Sequence, residues 1–206
     1  MSMLVIDWND FAKTGLSGTD LPETLAKTEK GAKPLALTIG VFDGVHIGHQ
    51  ALIRTAAAEA SCIPTVVTFR QNPMRTTSPG SFAGDIFGLE EKLRLLEASG
   101  AAVTVLIDFS REFSMMNGRD FVNTLLGVHP ARLIVLGEDF RCGRNPGIGA
   151  TEVKRLAEAK GLETRIVPPV MDGGQPVSSS RIRAALAAGI NAEAERLLGR
   201  PLHMQT

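Results

Sequence analysis

The 206-residue chain is poor in the features that mark secreted and membrane-spanning proteins. Its two cysteines, Cys62 and Cys142, are too few for a disulfide framework and are typical of a reducing cytosol. No apolar run approaches the roughly 20 residues that cross a bilayer, and the polar residues that follow Trp8 are not typical of a signal peptide. We therefore expect a cytoplasmic protein with no membrane partner.

The chain also has no excess charge of either sign. Lys and Arg together number 22, as do Asp and Glu, so the formal net charge is zero. Because binding to nucleic acid depends on excess positive charge, this balance argues against a nucleic-acid partner. It leaves room for a local basic pocket that takes one phosphorylated small molecule. With 44% hydrophobic residues, the chain can bury a substantial core, and its length predicts one domain over residues 1–206.

Five short apolar runs alternate with segments whose apolar residues recur at helical spacing. The predicted strands are Leu35–Ile39, Thr65–Phe69, Val103–Ile107, Leu133–Leu136 and Thr164–Val167. The predicted helices are Gly48–Ser61, Leu89–Ser99, Thr151–Lys160, Ser179–Ala188 and Asn191–Gly199. Because the strands are continuously apolar, the pattern predicts a doubly wound α/β fold, with a mostly parallel five-stranded sheet and helices on both faces.

The segment from Gly40 to His49 follows the first predicted strand and opens the first predicted helix. His46 and His49 are three residues apart and therefore face the same side of the first helical turn. Free backbone N–H groups and the positive end of the helix dipole make that turn a favourable place for phosphate. Gly44 and Gly48 allow a tight turn and the close approach of a ligand. The alternative is a pair of surface histidines beside a tight turn.

Three further segments carry polar or aromatic residues next to predicted strands or helices: Val66–Pro73, Leu136–Gly143 and Val177–Arg183. The first two continue beyond the ends of predicted strands, at Phe69 and Leu136, and the third opens the helix that follows the last strand. In open parallel sheets the ligand crevice lies outside the carboxyl ends of the strands. We therefore expect these segments to meet the Gly40–His49 segment in space.

In this order the segments resemble the motifs of bacterial FAD synthetases, which are HIGH-motif nucleotidyltransferases with a Rossmann-like fold. His46–His49 resembles the HIGH motif itself, and Val66–Phe69 with Pro73 is similar to a Thr-Phe-x-Pro-His-Pro segment. Leu136–Gly143 resembles Gly-x-Asp-Phe-x-Phe-Gly, and Val177–Arg183 resembles Ser-Ser-Thr-x-Ile-Arg. Leu197–Pro201 is similar to the usual close of this module, so the resemblance extends over residues 35–201.

The resemblance implies transfer of the adenylyl group of ATP to FMN, which gives FAD and pyrophosphate. It implies Mg²⁺ bound chiefly by the phosphates, with no metal site built from side chains. In this family the module is usually fused to a riboflavin kinase. A second domain needs on the order of 100 further residues, so we expect no kinase domain in this chain, and a separate riboflavin kinase is a candidate partner.

The resemblance also implies roles for individual residues. The residues implied to donate to phosphate oxygens in catalysis are His46, His49 and Arg183. The residues implied to bind ATP are Gly40, Phe42, Asp43, Gly44, Gly48, Ser179 and Ser180. The residues implied to bind the flavin are Phe69, Asn72, Pro73, Asp139, Phe140 and Cys142.

Several of these residues also have ordinary structural explanations. The serines of Ser178–Ser180 can cap a helix, or with Arg181 and Arg183 they can form a phosphate cradle. Asp139 can be a turn residue or, as the resemblance implies, a contact to the bound nucleotide or the flavin phosphate. Asp43 can approach a phosphate-bound magnesium ion or simply complete an Asp-Gly turn.

The sequence departs from the family pattern on the flavin side. Gln71 and Asn72 stand where the family has Pro-His, Cys142 replaces the second aromatic residue, and Pro176 replaces a residue that is often basic. These changes predict weaker FMN binding than in a typical member. They leave two other functions open: a sister nucleotidyltransferase with an acceptor such as phosphopantetheine, nicotinamide mononucleotide or glycerol phosphate, and a catalytically weak flavin- or nucleotide-binding protein.

Overall fold

The computed structural model of the chain describes residues 2–16, 27–28, 31–144 and 147–202. Six strands form its central sheet: β1 (Leu4–Asp7), β2 (Leu35–Ile39), β3 (Ile63–Phe69), β4 (Val103–Ile107), β5 (Ala131–Gly137) and β6 (Glu163–Val167). They lie in the order β1-β4-β3-β2-β5-β6, and every neighbouring pair is parallel. The chain winds outward in both directions from β2, so ligands are expected at the carboxyl ends of β2 and its neighbours.

The helices and the remaining short elements connect these strands. The helices are α1 (Trp8–Thr14), α2 (Ile47–Ala57), α3 (Met74–Thr77), α4 (Leu89–Ala98), α5 (Arg111–Ser114), α6 (Gly118–Gly127), α7 (Ala150–Glu158), α8 (Ser179–Ala187) and α9 (Asn191–Leu198). Two-residue strands pair as three antiparallel hairpins: Lys27–Thr28 with Gly31–Ala32, Arg141–Cys142 with Ile148–Gly149, and Met171–Asp172 with Gln175–Pro176. None of the described helices is long and apolar enough to cross a membrane.

Helices cover both faces of the sheet. Residues of α1, α6 and α7, among them Phe11, Phe121 and Val153, form one core with side chains of the strands. On the other face, Ile53 of α2 and Leu96 of α4 pack around Val66 and Phe42. Alternate residues of each buried strand thus enter different cores, as the continuously apolar runs predict. The predicted doubly wound α/β fold is confirmed.

The sheet has one strand more than the five predicted. The extra strand, β1, pairs with β4 in a register that runs from Leu4 opposite Val103 to Asp7 opposite Leu106. It lies at the edge of the sheet, and only every second residue points inward. The apolar run Met3–Ile6 is too short to show a period, which is why the sequence pattern did not reveal this strand.

Helices α8 and α9 form a small core of their own beside the sheet, around Val177, Ile182 and Leu197. Arg181 fixes this unit because its guanidinium donates to Asp172 at 2.7 Å and to Glu193 at 2.9 Å. Arg181 therefore holds the hairpin and α9 against the start of α8. The structure gives it this packing role instead of the predicted place in a phosphate cradle.

Truncation of Phe11 tests whether α1 belongs to the main core. Phe11 is fully buried in that core, and Phe11→Ala should lower the free energy of unfolding by about 3–5 kcal/mol, as core phenylalanine truncations do. Lys13→Ala, on the exposed side of the same helix, should change it by about 0.5 kcal/mol or less. Urea unfolding of both variants measures the difference, and equal midpoints would contradict the packing described for α1.

Candidate active site

The site is built on a strained turn between β2 and α2. Phe42 (φ 52°), Gly44 (φ 78°) and Val45 (φ 39°) all have left-handed backbone conformations. Residues other than glycine rarely adopt such conformations, and these conformations persist only when the surrounding structure holds them. Arg200, which follows α9, donates to the Gly44 and Val45 carbonyls. A Cβ atom at Gly44 would lie 2.9 Å from the Ile86 side chain, which would have to shift.

Asp43, in the middle of this turn, joins the motif segments to one another. Its carboxylate accepts the backbone N–H of Ile86 at 2.9 Å, the side-chain amide of Asn72 at 3.4 Å, and a hydrogen bond from the Arg183 guanidinium. Its backbone carbonyl accepts the Ser179 hydroxyl at 2.9 Å. The expected meeting in space is therefore observed for the Gly40–His49, Val66–Pro73 and Val177–Arg183 segments, which this buried residue links.

Asp43, predicted to bind ATP, and Arg183, predicted to donate to phosphate, form an ion pair with each other. Asp43 is 5% exposed, and burial raises the pKa of its carboxyl group, while the Ile86 N–H and the Arg183 guanidinium act in the opposite direction. Arg183 also donates from Nε to the Gly84 carbonyl at 2.9 Å. The structure thus brings the two residues together as a buried ion pair instead of placing them on the wall of the main cleft.

His46 and His49 line a cleft at the start of α2. His46 is the N-cap of α2, and its Nδ1 accepts the backbone N–H of His49 at 3.3 Å. The two imidazole rings stack with centroids 3.6 Å apart, and the Phe42 ring meets His49 edge-on at 5.1 Å. A neutral imidazole whose Nδ1 accepts must carry its proton on Nε2. His46 can therefore donate one hydrogen bond from Nε2.

Burial keeps both histidines neutral near pH 7. It lowers the pKa of His46 from 6.5 to about 4, and the nearby positive charge of Arg200 contributes. Burial also lowers the pKa of His49 well below its ordinary value, helped by His46 and by Lys92 of α4. His46 is only 6% exposed, so the alternative of two surface histidines is wrong.

A polar cleft of about 200 Å³ opens in front of these rings, at the carboxyl ends of the central strands. Its lining comes from the start of α2, the end of β5, the segment after β6 and the start of α8: His46, Gly48, His49, Leu52, Gly137, Asp139, Val167–Val170 and Val177–Ser179. Within the described residues, this lining includes no lysine or arginine. The cleft therefore offers phosphate neutral donors and a helix N-terminus.

The serines at the start of α8 do not act alike. The Ser178 hydroxyl accepts the backbone N–H of Arg181 at 3.3 Å and caps the helix. Ser179 lines the cleft while its hydroxyl donates to the Asp43 carbonyl. Ser180 is exposed and is not part of the described cleft lining. Capping thus explains Ser178, and only Ser178 and Ser179 reach the cleft.

A second cavity, of about 270 Å³, adjoins the cleft and shares His49, Leu52, Gly137 and Asp139 with it. It shares Phe69 and Cys142 with a third cavity of about 420 Å³. Of the predicted flavin residues, Phe69, Pro73, Asp139, Phe140 and Cys142 line the second or third cavity. Asn72 does not line either of them and instead bonds to Asp43.

The third cavity, called here the aromatic cavity, is rich in phenylalanine. Phe69, Phe109, Phe113 and Phe121 line it, and the rings of Phe69 and Phe109 meet edge-on with centroids 5.4 Å apart. Its other lining residues are Val41, Pro73, Thr77, Ser114, Met116, Arg141, Cys142, Gly143 and Arg144. Phe109, Phe113 and Phe121 lie outside the motifs and thus supply aromatic surface that is missing at Cys142.

Sequence reasoning predicted Phe69 but missed Phe109, Phe113 and Phe121, and it also missed Lys92. Phe109 and Phe113 lie after β4, where no motif drew attention, so little in the sequence marked them. Lys92 did leave a signal: with Leu89, Leu93 and Leu96 it follows the i, i+3, i+4, i+7 spacing of the apolar stripe of α4. A lysine in such a stripe indicates a buried charge with a specific partner.

The parallel sheet, the switch in winding direction at β2 and the histidine pair at the N-terminus of α2 define a Rossmann-like nucleotidyltransferase fold. The sequence model of the FAD synthetase family matches residues 28–181. The chain therefore belongs to the FAD synthetase family.

Individual relatives agree with this assignment. The bifunctional riboflavin kinase/FMN adenylyltransferase of Escherichia coli K12 is 31% identical over 169 residues, which cover 80% of this chain and 54% of that protein. The FAD synthetase of Listeria monocytogenes is 28% identical over 178 residues, which cover 85% and 72%. This chain thus spans about half the length of the bifunctional relatives that it matches.

Solved structures show the same fold. A Streptococcus pneumoniae structure described as a macrolide-efflux protein superposes with a TM-score of 0.76 and 29% identity, covering 97% of this chain and 63% of that one. A pantoate-beta-alanine ligase from Francisella tularensis superposes with a TM-score of 0.59 at 13% identity, covering 100% and 90%. The second likeness concerns the fold alone.

The lowered pKa of His46 predicts how stability depends on pH. Unfolded His46 binds a proton near pH 6.5, whereas the folded protein resists protonation until about pH 4. The stability due to the neutral ring is therefore fully present above pH 6.5 and is lost progressively toward pH 4, by about 3 kcal/mol. Urea unfolding between pH 7 and pH 4 measures this loss.

His46→Asn is the matched control, because asparagine keeps a helix-capping acceptor and does not titrate. Its stability should change less with pH than that of the wild type. Equal pH slopes for the two proteins would contradict a buried, neutral His46.

Proposed function

We propose that this chain transfers the adenylyl group of ATP to FMN and forms FAD and pyrophosphate. The observation that carries the proposal is that the second cavity shares lining residues with both the polar cleft and the aromatic cavity. It shares His49 and Asp139 with the cleft and Phe69 and Cys142 with the aromatic cavity. One cavity suits a triphosphate and the other suits a flat aromatic ring, so the two reacting phosphates would meet beside the histidine pair.

The cleft has the features that ATP requires. Its phosphate end combines the N-terminus of α2 with the neutral imidazoles of His46 and His49, and free N–H groups at such a terminus favour bound phosphate. Its other end is formed by Val167–Val170 and Val177, which offer an apolar surface to the adenine base.

The aromatic cavity has the features that FMN requires. The rings of Phe69, Phe109 and Phe113 can make edge or face contacts with an isoalloxazine ring, and such aromatic pairs contribute about 0.5–1.5 kcal/mol each beyond area burial. Arg141 lines both the second cavity and the aromatic cavity. We propose that its guanidinium binds the FMN phosphate and directs it toward the cleft.

The reaction needs no protein nucleophile. An oxygen of the FMN phosphate attacks the α-phosphorus of ATP, a new P–O–P bond forms, and the bond between the α-phosphorus and the α,β-bridging oxygen breaks. Pyrophosphate leaves with the electron pair of that bond. Catalysis then rests on positioning and on hydrogen bonds to oxygens that gain charge. His46 and His49 would donate these bonds as neutral groups, and neither has to lose a proton.

Magnesium would be held mainly by the phosphates. Within the described part of the chain, no three His, Cys, Asp or Glu side chains are grouped as a metal site, and the Asp43 carboxylate already has three partners. Asp139, on the cleft wall, is the carboxylate placed to add one oxygen ligand, and magnesium commonly binds through substrate phosphates and one or two carboxylates. When bound, the ion would neutralise charge on the departing pyrophosphate.

The direct test incubates the protein with ATP, Mg²⁺ and either FMN or riboflavin. We expect FAD and pyrophosphate from FMN, and we expect no FAD directly from riboflavin, because riboflavin lacks the phosphate that attacks ATP. FMN binding without turnover would favour the flavin-binding alternative. Adenylylation of another phosphorylated acceptor, but not of FMN, would favour a sister nucleotidyltransferase.

Variants of His46 separate its catalytic role from its structural one. His46→Asn should keep the helix cap and lose the Nε2 donor, so kcat should fall on the order of a hundredfold, the usual cost of losing one charge-stabilising donor. His46→Ala should show a similar loss in kcat and, because the cap is also lost, a further destabilisation of about 1 kcal/mol. Steady-state kinetics and urea unfolding on the same samples measure both. Unchanged turnover in His46→Asn would make the residue structural only.

Cys142 tests the flavin assignment. Burial raises the pKa of its thiol to about 11, so the side chain is a neutral, weakly polar part of the cavity wall. Cys142→Phe restores an aromatic face and should tighten FMN binding several-fold, since one aromatic contact contributes about 1 kcal/mol. The KM for ATP should not change, and Cys142→Ala should leave FMN affinity nearly as it is.

The single tryptophan provides the readout for FMN binding. Trp8 lies 5.2 Å from Phe121 and 6.0 Å from Phe113, ring centroid to ring centroid, and both phenylalanines line the aromatic cavity. The chain has one Trp and no Tyr, so quenching of tryptophan fluorescence by FMN reports on this cavity without other emitters. Unchanged or weaker binding in a folded Cys142→Phe variant would contradict the assignment.

A further inference from the structure

Lys92 is a buried lysine to which the chemistry above assigns no role. It lies on α4, is 8% exposed, and its ammonium donates to the carbonyl of Phe69 at 2.7 Å and to the carbonyl of Val41 at 3.1 Å. Burying an ammonium group is unfavourable unless it is well bonded. The two hydrogen bonds to carbonyl groups therefore offset the cost of burying the Lys92 ammonium.

The two carbonyl acceptors lie at the carboxyl ends of neighbouring strands. Phe69 is the last residue of β3, and Val41 follows the end of β2. The Val41 carbonyl also accepts the Thr68 hydroxyl at 3.0 Å. One ammonium group therefore ties together the ends of two neighbouring strands at the edge of the sheet where the cavities open.

Each acceptor residue leads directly to a part of the site. Val41 and Phe69 both line the aromatic cavity. The residue after Val41 is Phe42, which has the strained left-handed backbone and whose ring packs against His49. A shift of the Val41 carbonyl would therefore move the histidine pair relative to the aromatic cavity.

We propose that Lys92 is a positioning residue, which sets the distance between the polar cleft and the aromatic cavity by holding the carbonyls of Val41 and Phe69. This inference rests on the proposed adenylyl transfer to FMN. The rate of a reaction between two bound substrates depends strongly on the distance between them, because a displacement of about 1 Å can lower the rate a hundredfold. Lys92 itself touches neither substrate in this account.

Several charged groups surround this ammonium. Asp43 and Asp85 act on it electrostatically, and Lys92 in turn acts on His49. Burial lowers the pKa of Lys92 to about 8, against the opposing effect of the two carboxylates. The ammonium form is thus held by its two carbonyl partners and by carboxylates that lie in the same buried region.

The test compares Lys92→Met, Lys92→Arg and the control Arg94→Met in the complete chain. Arg94 is an exposed basic residue two positions further along α4, with its side chain 74% exposed. We expect Lys92→Met to lower kcat at least tenfold while the KM values for ATP and FMN change less than threefold. Lys92→Arg, which keeps the charge and several donors, should recover part of kcat, and Arg94→Met should match the wild type.

Thr68→Val gives an independent variant if Lys92→Met does not fold. It removes the second donor to the Val41 carbonyl and should produce a smaller loss of kcat with the same unchanged KM values. Wild-type kcat in both folded Lys92→Met and Thr68→Val would overturn the inference alone. A raised KM for one substrate at unchanged kcat would also overturn it, because it would indicate direct contact. A wild type that makes no FAD would overturn the proposed function and this inference with it.

Discussion

The site depends on the hydrogen bonds and the ion pair of one buried carboxylate, that of Asp43. It lies in a turn of left-handed residues, which is unfavourable in isolation, and it is bonded to the loop after β3, to the segment before α4 and to α8. Removing one partner of a buried ion pair leaves the other charge buried and uncompensated, which strongly destabilises the fold. Segments up to 140 residues apart are therefore held in one arrangement, and that arrangement places the histidines in the lining of the cleft.

A second consequence concerns how the site handles charge. The histidines are kept neutral by burial, and the arginines near them are committed to Asp43 and to the carbonyls of the turn. Among the described residues of the cleft lining, positive charge comes from the helix N-terminus and not from a side chain. Such a site stabilises negative charge through oriented donors, which need no rearrangement as the charge develops. The remaining neutralisation would fall to the metal that accompanies the nucleotide.

The sequence predicted the class of fold and the meeting of the motifs, because both follow from local pattern and from the geometry of parallel sheets. The bounds of β2 and β4 agree with the prediction residue for residue, whereas the edge strand β1 was too short to show a period. The pairing of Asp43 with Arg183 could not be predicted, since nothing local tells which distant polar residues will share a buried site. The same is true of Asn72, whose expected place was the flavin cavity. Lys92 was predictable in principle, because a lysine in an apolar stripe breaks the pattern of its own helix.

The central claim is that the two cavities bring the two reacting phosphates together beside His46 and His49. A crystal structure with FMN and the non-reactive analogue α,β-methylene-ATP tests this claim most directly. The account predicts the nucleotide base against Val167–Val170, the flavin ring among Phe69, Phe109 and Phe113, and an FMN phosphate oxygen about 3–3.5 Å from the α-phosphorus. A flavin bound outside the aromatic cavity, or phosphates held far apart with both ligands present, would contradict it.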